Sequence, residues 1–300
     1  MTAYSVAPVT TFLLVVNIAL YALCAWLSND LGQIKPDVVF GLGMSVREGL
    51  WEGEWQRLIM PNFLHLNLMH IVLNMMALRS MGPAAEVHFG SANFGTLYLV
   101  SGVGGFCFSQ LFRGYHAAGA SAALFGLFGA ELCVAVLKAP VLRYAWRNSQ
   151  VRELTFWAAL YLGLGFVGLL GPMDNWGHMG GLLVGALLAA FFELWRRRGN
   201  LSWPLLTGAV LSISLLVCAT RWTIFSPYYH VHMGLIATEE HRPTDASEEF
   251  AAAERWAKVW HKEKVVRVMI AEARDGEWTR QMAKEQSYFR KAMFIRGEFR

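Results

Sequence analysis

Residues 177–185 read Gly-His-Met-Gly-Gly-Leu-Leu-Val-Gly and open an apolar segment that runs to about residue 195. His178, Gly181 and Gly185 are three and four residues apart, so on a helix they share one face. Glycines on such a face let the backbone of a second helix approach closely. The stretch therefore predicts a tightly packed helical bundle with a histidine at one helix end.

The composition places this bundle in a membrane. Of the 300 residues, 55% are hydrophobic and only 16% are charged, against about 25% in ordinary soluble domains. The net charge of +4 is too diffuse to indicate nucleic-acid binding. The four cysteines lie in apolar stretches without a C-x-x-C spacing, which favours buried packing over a reactive-thiol role.

Seven stretches are long and apolar enough to cross a bilayer as helices, which takes about 20 residues each. They cover approximately residues 8–28, 62–82, 92–112, 119–138, 154–171, 178–195 and 203–225. The short loops carry eight Lys and Arg residues on one side and four on the other, which favours a cytoplasmic N-terminus. We predict an all-α polytopic membrane bundle of six spans plus a seventh, with a helical soluble tail.

Two segments differ from the spans. Residues 29–61 are too polar to span but contain Trp51 and Trp55, which predicts a loop that re-enters the membrane or lies at its surface. From residue 238 the chain is strongly charged and holds 13 of the 26 basic residues. We predict four parts, listed here in chain order: residues 1–49 with the first span, a core over 50–200, the seventh span within 201–237, and the tail at 238–300.

The tail pattern predicts helices. Asp245 followed by Glu248 is typical of a capping box at a helix start. The helix is expected to run to about residue 275, to break at Gly276, and to be followed by a second helix. An apolar stripe on its surface is predicted from four residues: Phe250, Trp256, Trp260 and Val268.

Ser121 and His178 form the candidate catalytic pair. Ser121 follows Gly119-Ala120 at the head of the fourth span, where its backbone N–H belongs to the unsatisfied set of a helix N-terminus. Taken alone, a membrane serine or histidine more often packs or bonds to neighbouring helices. Taken together, both residues stand at helix ends on the same predicted side, and a serine needs an adjacent base to become a nucleophile.

His70 and Asn74 are four residues apart in the second span and point the same way. Donors in this position could complete an oxyanion hole beside Ser121. A metal site is not expected, because His65 is close in sequence but no Asp, Glu or Cys completes a ligand set.

These motifs resemble the rhomboid family: His70-x-x-x-Asn74, then Gly119-x-Ser121, then His178 with Gly181 and Gly185. The resemblance covers about residues 50–195. It implies an intramembrane serine endopeptidase with a Ser121–His178 dyad and an oxyanion hole formed by Ser121 N–H, His70 and Asn74. It also implies supporting roles, listed here, for Gly119, Phe125 beneath the histidine, Gly181, Gly185, Arg57 in the first loop, and Glu86.

The sequence departs from the family pattern at two places, where Gln56 stands for a tryptophan and Ala122 for a glycine. An alternative function is a non-proteolytic rhomboid-like scaffold that binds membrane clients. A solute transporter would show charged or inverted-repeat spans, and none is evident. Asp174, four residues before His178, could orient the histidine or be a solvated loop residue.

The resemblance implies no cofactor. Its implied partners are the lipid bilayer and membrane-protein substrates whose transmembrane segment can unwind. We expect an integral multi-pass protein of a bacterial inner (plasma) membrane. The sequence names no partner for the tail, which a seventh span would place on the same side as Ser121.

Overall fold

The structure, a computed structural model, describes residues 7–112, 116–139, 142–167, 173–198 and 224–276. Within these ranges every regular element is helical, apart from two isolated β-bridges. The α-helices are α1 (Pro8–Ser28), α2 (Pro36–Gly41), α3 (Arg47–Trp51), α4 (Leu68–Phe89), α5 (Ser91–Phe112), α6 (Ser121–Leu137), α7 (Ser149–Val167), α8 (Asn175–Arg198), α9 (Pro227–Glu239), α10 (Pro243–Val259) and α11 (Glu263–Arg274). Short 3₁₀ turns occupy Trp55–Leu58, Met60–Phe63 and Leu142–Arg147. The predicted all-α architecture is confirmed for these residues.

Six of the helices, α1 and α4 to α8, correspond to the first six predicted spans. Among the described residues, α1, α5 and the Asn175–Arg196 part of α8 are long and apolar enough to cross a membrane, and α6 is a shorter apolar helix. Both α4 and α7 contain charged residues, which lowers their apolarity. The predicted seventh span, 203–225, lies outside the described residues except for its last two.

The second predicted span begins later than expected, because α4 starts at Leu68 and not near residue 62. The Asn67 side chain accepts a 2.9 Å hydrogen bond from the backbone N–H of His70 and so caps the helix. Pro61, further upstream, belongs to a separate 3₁₀ turn. An asparagine cap satisfies one of the free N–H groups at a helix start, so the polar residue sets the boundary that hydropathy alone misplaced.

The chain folds as two compact units. The first comprises Met1–Ser45 and Trp55–Leu216, and the second comprises Val46–Glu54 and Val217–Arg300. Helix α3 of the first loop therefore belongs to the same unit as the C-terminal helices α9, α10 and α11. The predicted divisions at 49/50 and 237/238 fall inside α3 and α9, because a change in hydropathy does not mark where tertiary packing changes.

In the first unit, α8 packs against both α5 and α6. A Cβ atom added at Gly181 would overlap the carbonyl oxygen of Ala122, and one added at Gly185 would overlap the carbonyl oxygen of Gly126. The backbones of α6 and α8 are therefore in direct contact at two successive turns, a packing that only glycine permits. This crossing fixes the distance between the first turns of the two helices.

In the second unit, α9, α10 and α11 enclose a core of their own, whose buried members include Val231, Leu235, Phe250, Ala253, Ala257, Val266 and Ile270. Of the predicted apolar stripe, only Phe250 is a member of this core. The side chains of Trp260 and Val268 are 44% and 42% exposed. The stripe was wrong because α10 ends at Val259, and the turn before α11 changes which residues face inward.

The predicted capping box at Asp245 is also wrong. Helix α10 begins at Pro243, and Arg242 takes the N-cap position. The Arg242 guanidinium donates hydrogen bonds to Asp245 and Glu240. Asp245 thus lies in the first turn, where a negative charge is favourable near the helix N-terminus. The predicted helix beyond Gly276 lies outside the described residues.

Candidate active site

Ser121 and His178 meet at the crossing of α6 and α8. Ser121 is the first residue of α6, and His178 lies in the first turn of α8. The distance from Ser121 Oγ to His178 Nε2 is 2.9 Å, and His178 is 4% exposed. Among the described residues, His178 Nδ1 has no hydrogen-bond partner. The arrangement is therefore a serine–histidine pair without a carboxylate on the histidine.

Two aromatic rings surround His178. Phe125, one turn after Ser121, stacks on the imidazole with 4.5 Å between ring centroids and 13° between the planes. Tyr161 of α7 meets His178 edge-on at 6.3 Å and Phe125 at 5.6 Å. Aromatic contacts of this kind favour defined ring orientations, so they hold the imidazole with Nε2 toward Ser121.

Gly119 lies between Ser121 and His70. Its φ of +138° is a conformation that side chains rarely adopt. A Cβ atom there would lie 2.6 Å from His70 Nε2 and 3.6 Å from Ser121 Oγ. The Gly119 N–H donates a 2.8 Å hydrogen bond to the carbonyl oxygen of Pro61. The missing side chain at Gly119 thus allows His70 to approach the serine.

Asn74 lies one turn after His70 on α4 and is 7% exposed. Its Nδ2 atom has no hydrogen-bond partner among the described residues. The ring of His70 packs edge-on against the fully buried His65, with 5.0 Å between centroids. The described residues contain no group of three or more His, Cys, Asp or Glu that could hold a metal ion.

Arg57 and Glu86 each hold separate parts of the chain together in the first unit. The Arg57 guanidinium donates hydrogen bonds to the carbonyl oxygens of Phe40 (2.9 Å) and Met44 (3.0 Å) and lies over the Phe40 ring. The Glu86 carboxylate accepts hydrogen bonds from the backbone N–H groups of Val9 and Thr10. Arg57 therefore holds the first loop, and Glu86 caps the start of α1.

Two residues near the pair in the chain, Ala122 and Asp174, have structural contacts of their own. The Ala122 methyl group is buried and would lie 2.7 Å from a Cβ atom at Gly105 of α5, so it fills the α5–α6 interface. Asp174 is half-buried and not a solvated loop residue, and its Oδ1 accepts a 3.0 Å hydrogen bond from Gly177 N–H. The aspartate therefore caps α8, a role that its spacing from the helix start could have indicated.

Comparison with known proteins identifies the architecture. Residues 52–195 match the family model of the Rhomboid domain. The chain contains a Rhomboid domain. With its apolar helices, this rhomboid protein is an integral membrane protein. Similar proteins include Rhomboid protease GluP of Bacillus subtilis (strain 168), 35% identical over 197 residues, which cover 65% of this chain and 37% of GluP.

Other relatives of this rhomboid chain come from eukaryotes. RHOMBOID-like protein 4 of Arabidopsis thaliana is 36% identical over 147 residues, which cover 49% of this chain and 36% of the plant protein. Rhomboid-like protease 1 of Toxoplasma gondii is 26% identical over 236 residues, which cover 77% of this chain and 80% of the parasite protein. The chain thus spans little more than a third of the length of GluP and of the plant protein.

Proposed function

We propose that the chain is an intramembrane serine endopeptidase in which Ser121 is the nucleophile and His178 the general base. The observation that carries this proposal is the 2.9 Å distance between Ser121 Oγ and His178 Nε2. A serine hydroxyl becomes an effective nucleophile when a base lies within hydrogen-bond reach of it. Two of the relatives are named as rhomboid proteases, which supports the same assignment.

The reaction follows from this pair. His178 Nε2 accepts the Ser121 hydroxyl proton as Oγ attacks the scissile carbonyl, and it then gives the proton to the leaving amine. The peptide bond breaks and an acyl-enzyme forms. His178 next takes a proton from water, which attacks the ester and restores Ser121. The Phe125 ring keeps the imidazole in one orientation through both steps.

The oxyanion would be stabilised from α4 and α6. We assign this role to the Ser121 backbone N–H with the His70 and Asn74 side chains. The support is positional: His70 Nε2 and Ser121 Oγ flank the same side of Gly119, and Asn74 Nδ2 is an unused donor among the described residues. Donors aimed at developing negative charge contribute strongly to acyl-transfer catalysis.

The substrates would be membrane proteins whose transmembrane segment unwinds near the site. Phe125 and Tyr161 leave little room beside His178, which favours small residues at the scissile bond. The first loop, Ser121 and His178 lie on one predicted side of the membrane, with the N-terminus on the other. In a bacterial inner membrane with a cytoplasmic N-terminus, cleavage would occur near the outer leaflet.

The test is cleavage of a transmembrane reporter in proteoliposomes, with the products identified by mass spectrometry. Wild type is expected to cleave, and Ser121→Ala and His178→Ala to lose activity. Ser101→Ala, which removes another buried hydroxyl of the same unit, is the matched control and should remain active. If folded wild type leaves a panel of such reporters intact, the scaffold alternative is favoured.

A further inference from the structure

The second unit holds a short piece of the first loop. Within this unit, Trp51 at the end of α3 packs against two residues of α9. Its ring meets Tyr229 edge-on at 5.5 Å and lies 5.6 Å from the ring of His232. Aromatic rings at these distances attract each other beyond the effect of the area they bury, so Trp51 joins the loop segment to the C-terminal helices.

A partly buried polar contact adds specificity to this packing. His232 Nε2 lies 2.9 Å from Glu52 Oε1, and the His232 and Glu52 side chains are 2% and 14% exposed. At the other end of α3, the buried Arg47 lies near Tyr228 of α9, and burial lowers the pKa of Arg47. Removing one member of a buried polar pair leaves the other without its partner, which costs more than an exposed contact would.

The held segment leads directly to the candidate active site along the chain. Only seven positions separate Glu54, the last residue of the segment in the second unit, from Pro61. In the first unit, the Pro61 carbonyl oxygen accepts the hydrogen bond from Gly119 N–H, two residues before Ser121. Arg57 lies between them and holds the loop residues Phe40 and Met44. Residues 46–54 are therefore joined to Pro61 by a short stretch of chain.

The shared unit also fixes which side of the membrane the tail occupies. If α1 and α4 to α8 each cross the membrane, the first loop and the helix starts bearing Ser121 and His178 lie on one side, and α8 ends on the other. Residues 46–54 fold together with α9 to α11, so a first loop on that side would carry those helices with it. The predicted seventh span at about 203–225 would supply the further crossing that this placement needs.

We propose that the C-terminal helices form a clamp on residues 46–54, on the active-site side of the membrane, and that this clamp positions the first loop of the rhomboid domain. Trp51, Glu52 and His232 are its positioning residues. The proposal rests on the proposed protease function for its catalytic consequence, but the clamp itself is measurable without activity.

The experiment compares His232→Gln, Glu52→Gln and the double variant in the full-length protein. The matched control is His230→Gln: His230 lies on the same helix, and its Nδ1 is 2.6 Å from Glu249, a residue of α10 and not of the loop. The first readout is hydrogen exchange of residues 46–54 in detergent. The second readout is kcat and KM for reporter cleavage, measured separately.

We expect faster exchange of residues 46–54 in His232→Gln and Glu52→Gln, and unchanged exchange there in His230→Gln. The kcat/KM of each single variant should fall roughly threefold to tenfold. The kcat/KM of the double variant should fall no further, because the effects of changing two groups of one contact are not additive. Unchanged exchange in both single variants would overturn the clamp. Altered exchange with unchanged cleavage would overturn its role in catalysis, and inactive wild type would refute only the protease function.

The side of the tail has its own test. Val259 is 65% exposed on α10, and Val259→Cys offers a thiol to a membrane-impermeant maleimide added outside intact cells, with wild type as the background control. A second variant, Gly41→Cys, places a cysteine in the first loop. If both cysteines are labelled in intact cells, the tail and the first loop lie on the same side of the membrane. Labelling of one site from outside and the other only after permeabilisation would overturn it.

Discussion

Ser121 Oγ and His178 Nε2 lie 2.9 Å apart although 57 positions separate them in the chain. Each side chain stands in the first turn of its helix, and the two helices touch through backbone atoms at Gly181, three residues after His178, and Ala122, the residue after Ser121. The hydrogen-bond distance between Ser121 and His178 therefore depends on how closely α6 and α8 pack. Side chains that separate these helices should affect the chemistry without touching either residue.

Gly181→Ala tests this dependence. The added methyl group would overlap the Ala122 carbonyl oxygen, and overpacking of this kind costs about 1–3 kcal/mol of unfolding free energy. Moving the two helices apart by an ångström should lower kcat/KM by roughly a hundredfold. Gly163→Ala on α7, where a Cβ atom meets nothing within 4 Å, is the control. Equal activities of the two variants in reporter cleavage would contradict the prediction.

Gly119→Ala should abolish most of the activity. The alanine would have to adopt the φ of +138°, and its Cβ atom would lie 2.6 Å from His70 Nε2. Gly90→Ala separates the two effects, because Gly90 also has a positive φ but open space around it. We expect Gly90→Ala to lose about 1–2 kcal/mol of stability from backbone strain and to keep its kcat. If both variants lower kcat equally, the close approach of His70 has no catalytic role.

Phe125→Ala should lower kcat more than it raises KM. The ring stacks on His178 at 4.5 Å, and loss of such a contact is worth about 0.5–1.5 kcal/mol, which corresponds to a decrease of roughly twofold to tenfold in rate. Phe125→Tyr keeps the stacked ring and should retain most of the activity. Steady-state kinetics on one reporter measures both, and a pure KM effect would assign Phe125 to substrate binding alone.

Asp174 provides a prediction about stability and pH. Replacing the cap by alanine should cost about 1 kcal/mol, whereas Asp174→Asn retains an oxygen for the Gly177 N–H. Burial raises the pKa of Asp174 above its ordinary value of 3.8. The folded protein therefore favours the protonated carboxyl. This preference adds to the free energy of unfolding below pH 3.8, and the addition is lost as pH rises through the folded-state pKa.

The melting temperature of Asp174→Asn relative to wild type should therefore rise between pH 3.8 and the folded-state pKa of Asp174, and level off at higher pH. Thermal unfolding in detergent at several pH values measures it. A difference that falls with rising pH would show that the charged form of Asp174 is the one favoured by the fold.

The parts of the fold that local pattern determines could be predicted from sequence. The apolar stretches indicate the positions of the long helices, and the shared face of His178, Gly181 and Gly185 indicates a close helix contact. The start of α4 could not be read from hydropathy, because the Asn67 side chain sets it through one hydrogen bond. The direction of the Ala122 methyl group depends on α5, a neighbour that spacing alone does not reveal.

The partner of the first loop could not be predicted at all. Glu52 and His232 are 180 positions apart, and their contact is a single hydrogen bond. Residues 46–54 carry no periodic pattern that would pair them with α9, so only the tertiary structure shows that they share a unit. The same limit explains the misplaced apolar stripe in the tail, since the turn between α10 and α11 decides which residues are buried.

Covalent labelling by a fluorophosphonate, which reacts with an activated serine hydroxyl, tests the Ser121–His178 pair directly. Purified, folded protein is incubated with the probe, and the modified peptide is located by mass spectrometry. We expect one adduct on Ser121, none in Ser121→Ala, and labelling of His178→Ala slowed by at least about tenfold, because the base is gone. Wild type that is folded yet unlabelled at Ser121, or labelled equally well without His178, would contradict the assignment of this pair.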